Sequence, residues 1–115
     1  MTAWMKIFLS QCDQLGVLAV ERTEEYLRDF LGGSKSNAAY WERQILYVAP
    51  IKKEALFHEL GHAIDDLIDR RATMDVSNVR DDELRAWGIG LRIMRKHKLK
   101  IDWLYVRECL NTYLE

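Results

Sequence analysis

The residues in this chain whose types and spacing most directly support chemistry are His58-Glu59-Leu60-Gly61-His62. An α-helix turns once every 3.6 residues, so His58 and His62 stand one turn apart on the same face. Both imidazoles can then reach one ion, which is what a tetrahedral zinc site asks of a rigid element. Glu59 is rotated around the axis. It misses the ion but reaches a water held there, the position of a general base that takes a proton the metal has made more acidic. Gly61 costs a helix interior roughly 1 kcal/mol relative to alanine, so its presence predicts that another element packs closely there.

A catalytic zinc takes three protein ligands and keeps one position open. The third must come from elsewhere in the chain. A metzincin would place a glycine at Asp65 and a histidine at Ile68, so that arrangement is excluded. His97 lies in the basic run Arg92, Arg95, Lys96, Lys98, Lys100, which reads as a solvated helix end complementing the helix dipole. Carboxylates remain. Glu83 follows His62 by 21 residues, where a helical hairpin would return it toward the metal, although it and its neighbours Asp81 and Asp82 also suit a helix start. Asp65, Asp66 and Asp69 continue the metal helix. They would either accept a ring N–H from a ligand histidine or form an exposed acidic face.

The elements that must position these groups follow from periodicity. Trp4, Ile7, Phe8 and Leu15 have helical spacing over residues 2–14, and Gly16 ends the pattern. Val17–Val20 reads as a strand, and Thr23 caps a helix carrying Leu27, Phe30 and Leu31. Ala38–Trp41 and Ile45–Val48 predict a hairpin with Pro50 closing its second strand. Helical periodicity then spans residues 53–71 and, after a polar turn at Asp75–Asn78, about 79–98; a last helix is capped by Asp102 and carries Leu104, Leu110 and Leu114. Local strands followed by a run of helices predict an α+β fold, one domain over residues 1–115, with a small mostly antiparallel or mixed sheet of about three strands packed on the active-site helix.

Composition narrows the function classes. The chain has 115 residues, 49% hydrophobic and 30% charged, with a net charge of −1. That balance argues against a nucleic-acid partner held by a general positive field. Cys12 and Cys109 lie far apart and form no paired-thiol metal motif. No apolar run reaches the length of a membrane span or signal-peptide core, which predicts a cytoplasmic protein without a membrane partner.

The run Ile45-Leu46-Tyr47-Val48, then His58-Glu59-Leu60-Gly61-His62, then Glu83-Leu84-Arg85-Ala86-Trp87 resembles the zincin core of the ImmA/IrrE-type gluzincins. It is similarly close to the stand-alone minigluzincins. The resemblance covers roughly residues 15–98. It implies a zincin-like fold, Zn²⁺ held by His58, His62 and Glu83, and Glu59 as the catalytic base of a metallopeptidase acting on a peptide or protein. In that pattern the ligand glutamate is followed three residues later by alanine and then by an aromatic, which Ala86 and Trp87 match. Thermolysin-like gluzincins carry an aspartate at the position of Trp87, and no helix-turn-helix partner domain fits within this length. Minigluzincins are latent, which implies that residues 99–115 cover the cleft; Trp103, Leu104 and Leu110 would alternatively pack as ordinary core.

Two further expectations concern the substrate. Tyr47, Tyr105 or Tyr113 would donate to the developing oxyanion, and the strand at 45–48 would bind an extended peptide by edge addition. The alternative reading is a non-catalytic zinc-binding interaction or regulatory protein on the same scaffold. A purely structural site would prefer four protein ligands and has no use for Glu59.

Overall fold

The computed structural model describes residues 1–33, 36–69 and 79–114. Helix α1 (Ala3–Leu15) starts at Thr2, whose side chain accepts the Met5 N–H, and stops at Gly16, which takes φ +69°. That left-handed conformation is cheap only for glycine. Strand β1 (Leu18–Glu21) follows, then α2 (Glu24–Phe30), with Thr23 accepting the Tyr26 N–H as its cap.

Strands β2 (Ala38–Trp41) and β3 (Gln44–Tyr47) form the expected hairpin. Its turn is two residues long, because Gln44 pairs with Trp41 and belongs to β3. Glu42 and Arg43 both take positive φ, 44° and 64°, as a type I′ turn requires even without the usual Asn-Gly. The sheet order is β1-β3-β2, with β1 parallel to β3 and β2 antiparallel to it, and α2 lies in the connection from β1 to β2, the two outer strands. The fold is therefore α+β, with a small mixed sheet. Because β3 is the central strand, its edges are both paired, and the expected addition of a peptide to the strand at 45–48 is excluded. The free edge on that side belongs to β2.

Helix α3 (Lys53–Ile64) is the hub, packed against α1, β2, β3 and helix α4 (Val79–Lys96). Its side chains and those of its neighbours build the core from Phe8, Cys12, Val17, Ile45, Leu56, Phe57, Leu60, Ala63 and Met94. Phe8 meets Phe57 edge to face at 5.7 Å, the arrangement ring quadrupoles favour. The regular helix expected to run on to Arg71 changes at Asp65 into a π-helical turn, Asp65–Asp69. Such a turn adds a residue per revolution and redirects the side chains beyond it. Residues 70–71 and the expected turn at Asp75–Asn78 lie outside the described residues.

The α3–α4 crossing is unusually close, for a reason the sequence signals. A Cβ at Gly61 would overlap the Ala86 carbonyl, and one at Gly90 would overlap the Phe57 carbonyl. Each helix thus offers one glycine to the other's backbone. Helix α4 ends two residues earlier than expected, at Lys96; Lys98 takes φ +57° while the Leu99 N–H returns to the Met94 carbonyl.

The last helix, α5 (Trp103–Leu114), is capped as expected: Asp102 Oδ1 accepts the Tyr105 N–H. Its packing face differs from the expected one. Trp103 and Leu104 are 54% and 66% exposed, and among the described side chains of α5 the buried one is Val106. The start of α5 is tied to the start of α3, since buried Glu54 accepts the Asp102 N–H and Lys52 pairs with the Asp102 carboxylate. Both cysteines are free thiols. No helix among the described residues is long and apolar enough to cross a membrane.

Candidate metal centre

Helix α3 presents His58 and His62 one turn apart, their ring centroids 4.7 Å from each other. The close crossing brings the first turns of α4 over them. Glu83 Oε2 lies 2.8 Å from His58 Nε2, and Glu83 Oε1 lies 3.1 Å from His62 Nε2. One donor atom from each of His58, His62 and Glu83 can be chosen so that all lie within 4.8 Å of one another. Two imidazole nitrogens and a carboxylate oxygen, this compact, fit an ion with metal–ligand bonds of about 2.0–2.2 Å. Imidazole nitrogens with one carboxylate oxygen suit a divalent transition-metal ion, zinc among them.

Glu59 sits beside the set, buried, with Oε2 at 3.6 Å from His58 Nδ1. Burial raises its pKa, while the neighbouring histidines and a hydrogen bond from the Tyr40 backbone N–H oppose that rise. The base candidate therefore sits where α3 faces the edge of β2. Burial would also raise the Glu83 carboxyl, but its hydrogen bonds with His58 and His62 win and hold it well below the usual carboxylate range. For His62, burial opposes protonation, yet the Glu83 hydrogen bond and the charges of Glu59, Glu83 and Asp65 together raise its pKa above 6.5.

The site opens into a cleft of about 620 Å³ walled by Tyr40, Trp41, His58, Glu59, His62 and Tyr113, among others. A second recess of about 280 Å³, on the α5 side, is lined by Ala38, Trp87, Tyr105, Cys109 and Tyr113 together with His58 and Glu59. Strand β2 and helix α5 are thus the two walls, with the His58–Glu59 turn of α3 as the floor.

The other expected site residues fall in different places. The Tyr113 O–H donates to Glu83 Oε2 at 3.0 Å. Its pKa is pushed up to about 12, first by burial and then by the Glu83 charge, so it remains a donor. Tyr105 lines the smaller recess, and Tyr47 lines a separate groove with Trp4 and Pro50. His97 is exposed and lies 3.4 Å from Gln11 Nε2, apart from the ligand set. Asp65 is buried and Asp66 half-buried, so neither forms an exposed acidic face. Their carboxylates take Arg85 and the Tyr40 hydroxyl, respectively. The side chain of Asp69 lies outside the described residues.

Two residues at the site were not identified as site residues by sequence reasoning. Trp87 stacks on the His58 ring at 4.4 Å and 8° between planes, and its buried Nε1 has no well-formed hydrogen bond among the described residues. A signal existed: Trp87 is four residues after Glu83, hence on the same helix face. Arg85 reaches across to Asp65 from 20 residues away, and no local spacing announces such a pair. Comparison with protein-family models, curated proteins and solved structures finds no match to this chain.

Proposed function

We propose that this chain is a small zinc-dependent peptidase with a zincin-like, gluzincin-type site: His58, His62 and Glu83 hold the ion, and Glu59 is the general base. The observation that carries the reading is the convergence of Glu83, from α4, on two histidines of α3 with an additional buried carboxylate alongside. A structural zinc site has no need of that extra carboxylate.

When bound, the ion supplies Lewis acidity, making water more acidic and polarising an amide carbonyl. Glu59 handles the proton: its burial keeps the carboxyl from being too weak a base, and it can pass the proton on to the leaving amine. An extended peptide lies between the walls, pairing its backbone with the open edge of β2. Of the three candidate tyrosines, Tyr113 is the one whose hydroxyl touches the ligand set, which makes it the donor best placed for a developing oxyanion. The same contact supports latency, because α5 narrows the cleft from one side.

The test is metal content together with cleavage of a peptide library. One zinc per chain, reduced in Glu83→Ala, with metal-dependent cleavage is expected. Zinc without cleavage, even from a chain ending at Lys98, would favour a non-catalytic zinc-binding regulator, and no zinc at all would overturn both.

A further inference from the structure

We infer that Arg85 is a positioning residue for the ligand set, clamping the end of α3 to the start of α4 and so fixing how Glu83 meets His58 and His62. The inference rests on the reading of these three residues as metal ligands. Asp65, three residues after His62, is 0% exposed. A carboxylate that deep is costly unless it is paired and hydrogen-bonded. Arg85 supplies both: its Nε donates to Oδ1 at 3.2 Å and Oδ2 at 3.1 Å, and Nη2 lies 3.1 Å from Oδ2. The same Nη2 donates to Asp82, the residue before Glu83.

One guanidinium thus joins the two helices through residues close in sequence to His62 on one side and Glu83 on the other. The glycine contacts Gly61–Ala86 and Gly90–Phe57 set how near the helices come. They are contacts of backbone with a missing Cβ, and such contacts have little power to fix rotation or sliding. A planar fork gripping both oxygens of a buried carboxylate fixes both. The clamp sits where α3 passes into its π turn, the point at which the α-helical register is lost and the direction of Asp65 is decided. Stability alone does not account for it, since buried ion pairs are often replaceable by apolar residues at no loss.

The experiment compares the full-length wild type with Arg85→Lys, Arg85→Gln and the double variant Asp65→Leu/Arg85→Met. The double variant removes both charges while keeping volume, so it guards against a single variant that fails to fold. Zinc affinity is read by chelator competition and site geometry by the visible spectrum of the Co²⁺-substituted protein. The expected result is zinc binding weakened about 10–100-fold in Arg85→Gln and in the double variant, with a changed Co²⁺ spectrum and partial rescue in Arg85→Lys. Wild-type affinity and spectrum in a folded double variant would overturn the clamp. If the wild type binds no zinc, the metal reading fails. The clamp is then read from the imidazole ¹⁵N shifts that report the contacts of His58 and His62 with Glu83; shifts unchanged in the double variant would overturn it.

Discussion

Glu83 Oε2 lies 2.8 Å from His58 Nε2, although 25 residues and a helix-to-helix crossing separate the two in sequence. That distance depends on the absence of a Cβ at Gly61 and Gly90, so the ligand set is as much a product of backbone packing as of the ligands themselves.

Gly61→Ala tests this directly. Alanine gains helix propensity, but its methyl would overlap the Ala86 carbonyl, and backbone cannot give way as a flexible side chain can. Overpacking of this kind costs about 1–3 kcal/mol. The expected outcome is a lower urea midpoint together with weaker zinc binding, because α4 is pushed away with Glu83. Gly88→Ala, where nothing lies within 4 Å of the added Cβ, is expected to be neutral or stabilising in the same assay.

Trp87 supports His58 by stacking on its ring. Truncation to alanine removes a nearly fully buried indole, which typically costs about 3–5 kcal/mol. Trp87→Phe keeps an aromatic face against His58 and removes only the Nε1–H end of the indole, so it is expected to lose less than half of that. Denaturant titration of the metal-free chain separates the two.

Much of this was legible in the sequence. The spacing of His58 and His62 and the glycine between them follow from helix geometry. Glu83 followed from the resemblance and from a helical hairpin, which returns a first-turn residue to its partner helix. The expected edge addition treats the strand at 45–48 as an edge, whereas it is central; its adjacent apolar residues Ile45 and Leu46 are both buried, and consecutive apolar residues are the mark of a strand covered on both faces. In α5 two apolar stripes overlap one residue apart. Leu104 belongs to one; Tyr105, Val106, Cys109 and Tyr113 belong to the other, and only packing against the rest of the fold selects the second. The Arg85–Asp65 pair was unreadable because its partners share no element.

Alkaline pH is expected to weaken the fold through Cys12. Burial pushes this thiol up to about 12 from 9.0. Between those values the unfolded chain loses the proton and the folded chain keeps it, so stability falls as pH rises, by roughly 1.4 kcal/mol per unit for this one group. Urea midpoints at pH 8 and pH 10.5 measure the slope, and Cys12→Ala should flatten it. A wild-type slope already matched by Cys12→Ala would rule the thiol out as its cause.

Zinc is expected to stabilise the chain by mass action, about 2.7 kcal/mol at a free concentration 100-fold above Kd. Protons compete for His62, whose pKa is raised above 6.5 through Glu83 and its acidic neighbours despite burial. Binding should therefore weaken as pH falls through that raised value, and more than an isolated histidine would predict. Zinc titrations between pH 5.5 and 8 check the direction; an affinity independent of pH would place the metal elsewhere.

The most direct test of the central claim is the turnover of a peptide substrate by zinc-loaded wild type and zinc-loaded Glu59→Gln, measured side by side with the metal content of each. Glutamine keeps the shape of the side chain and cannot take the proton. One zinc per chain is expected in both proteins, with a loss of at least about 100-fold in kcat for Glu59→Gln, the lower end of what a general base contributes. Equal turnover by the two zinc-loaded proteins would contradict it.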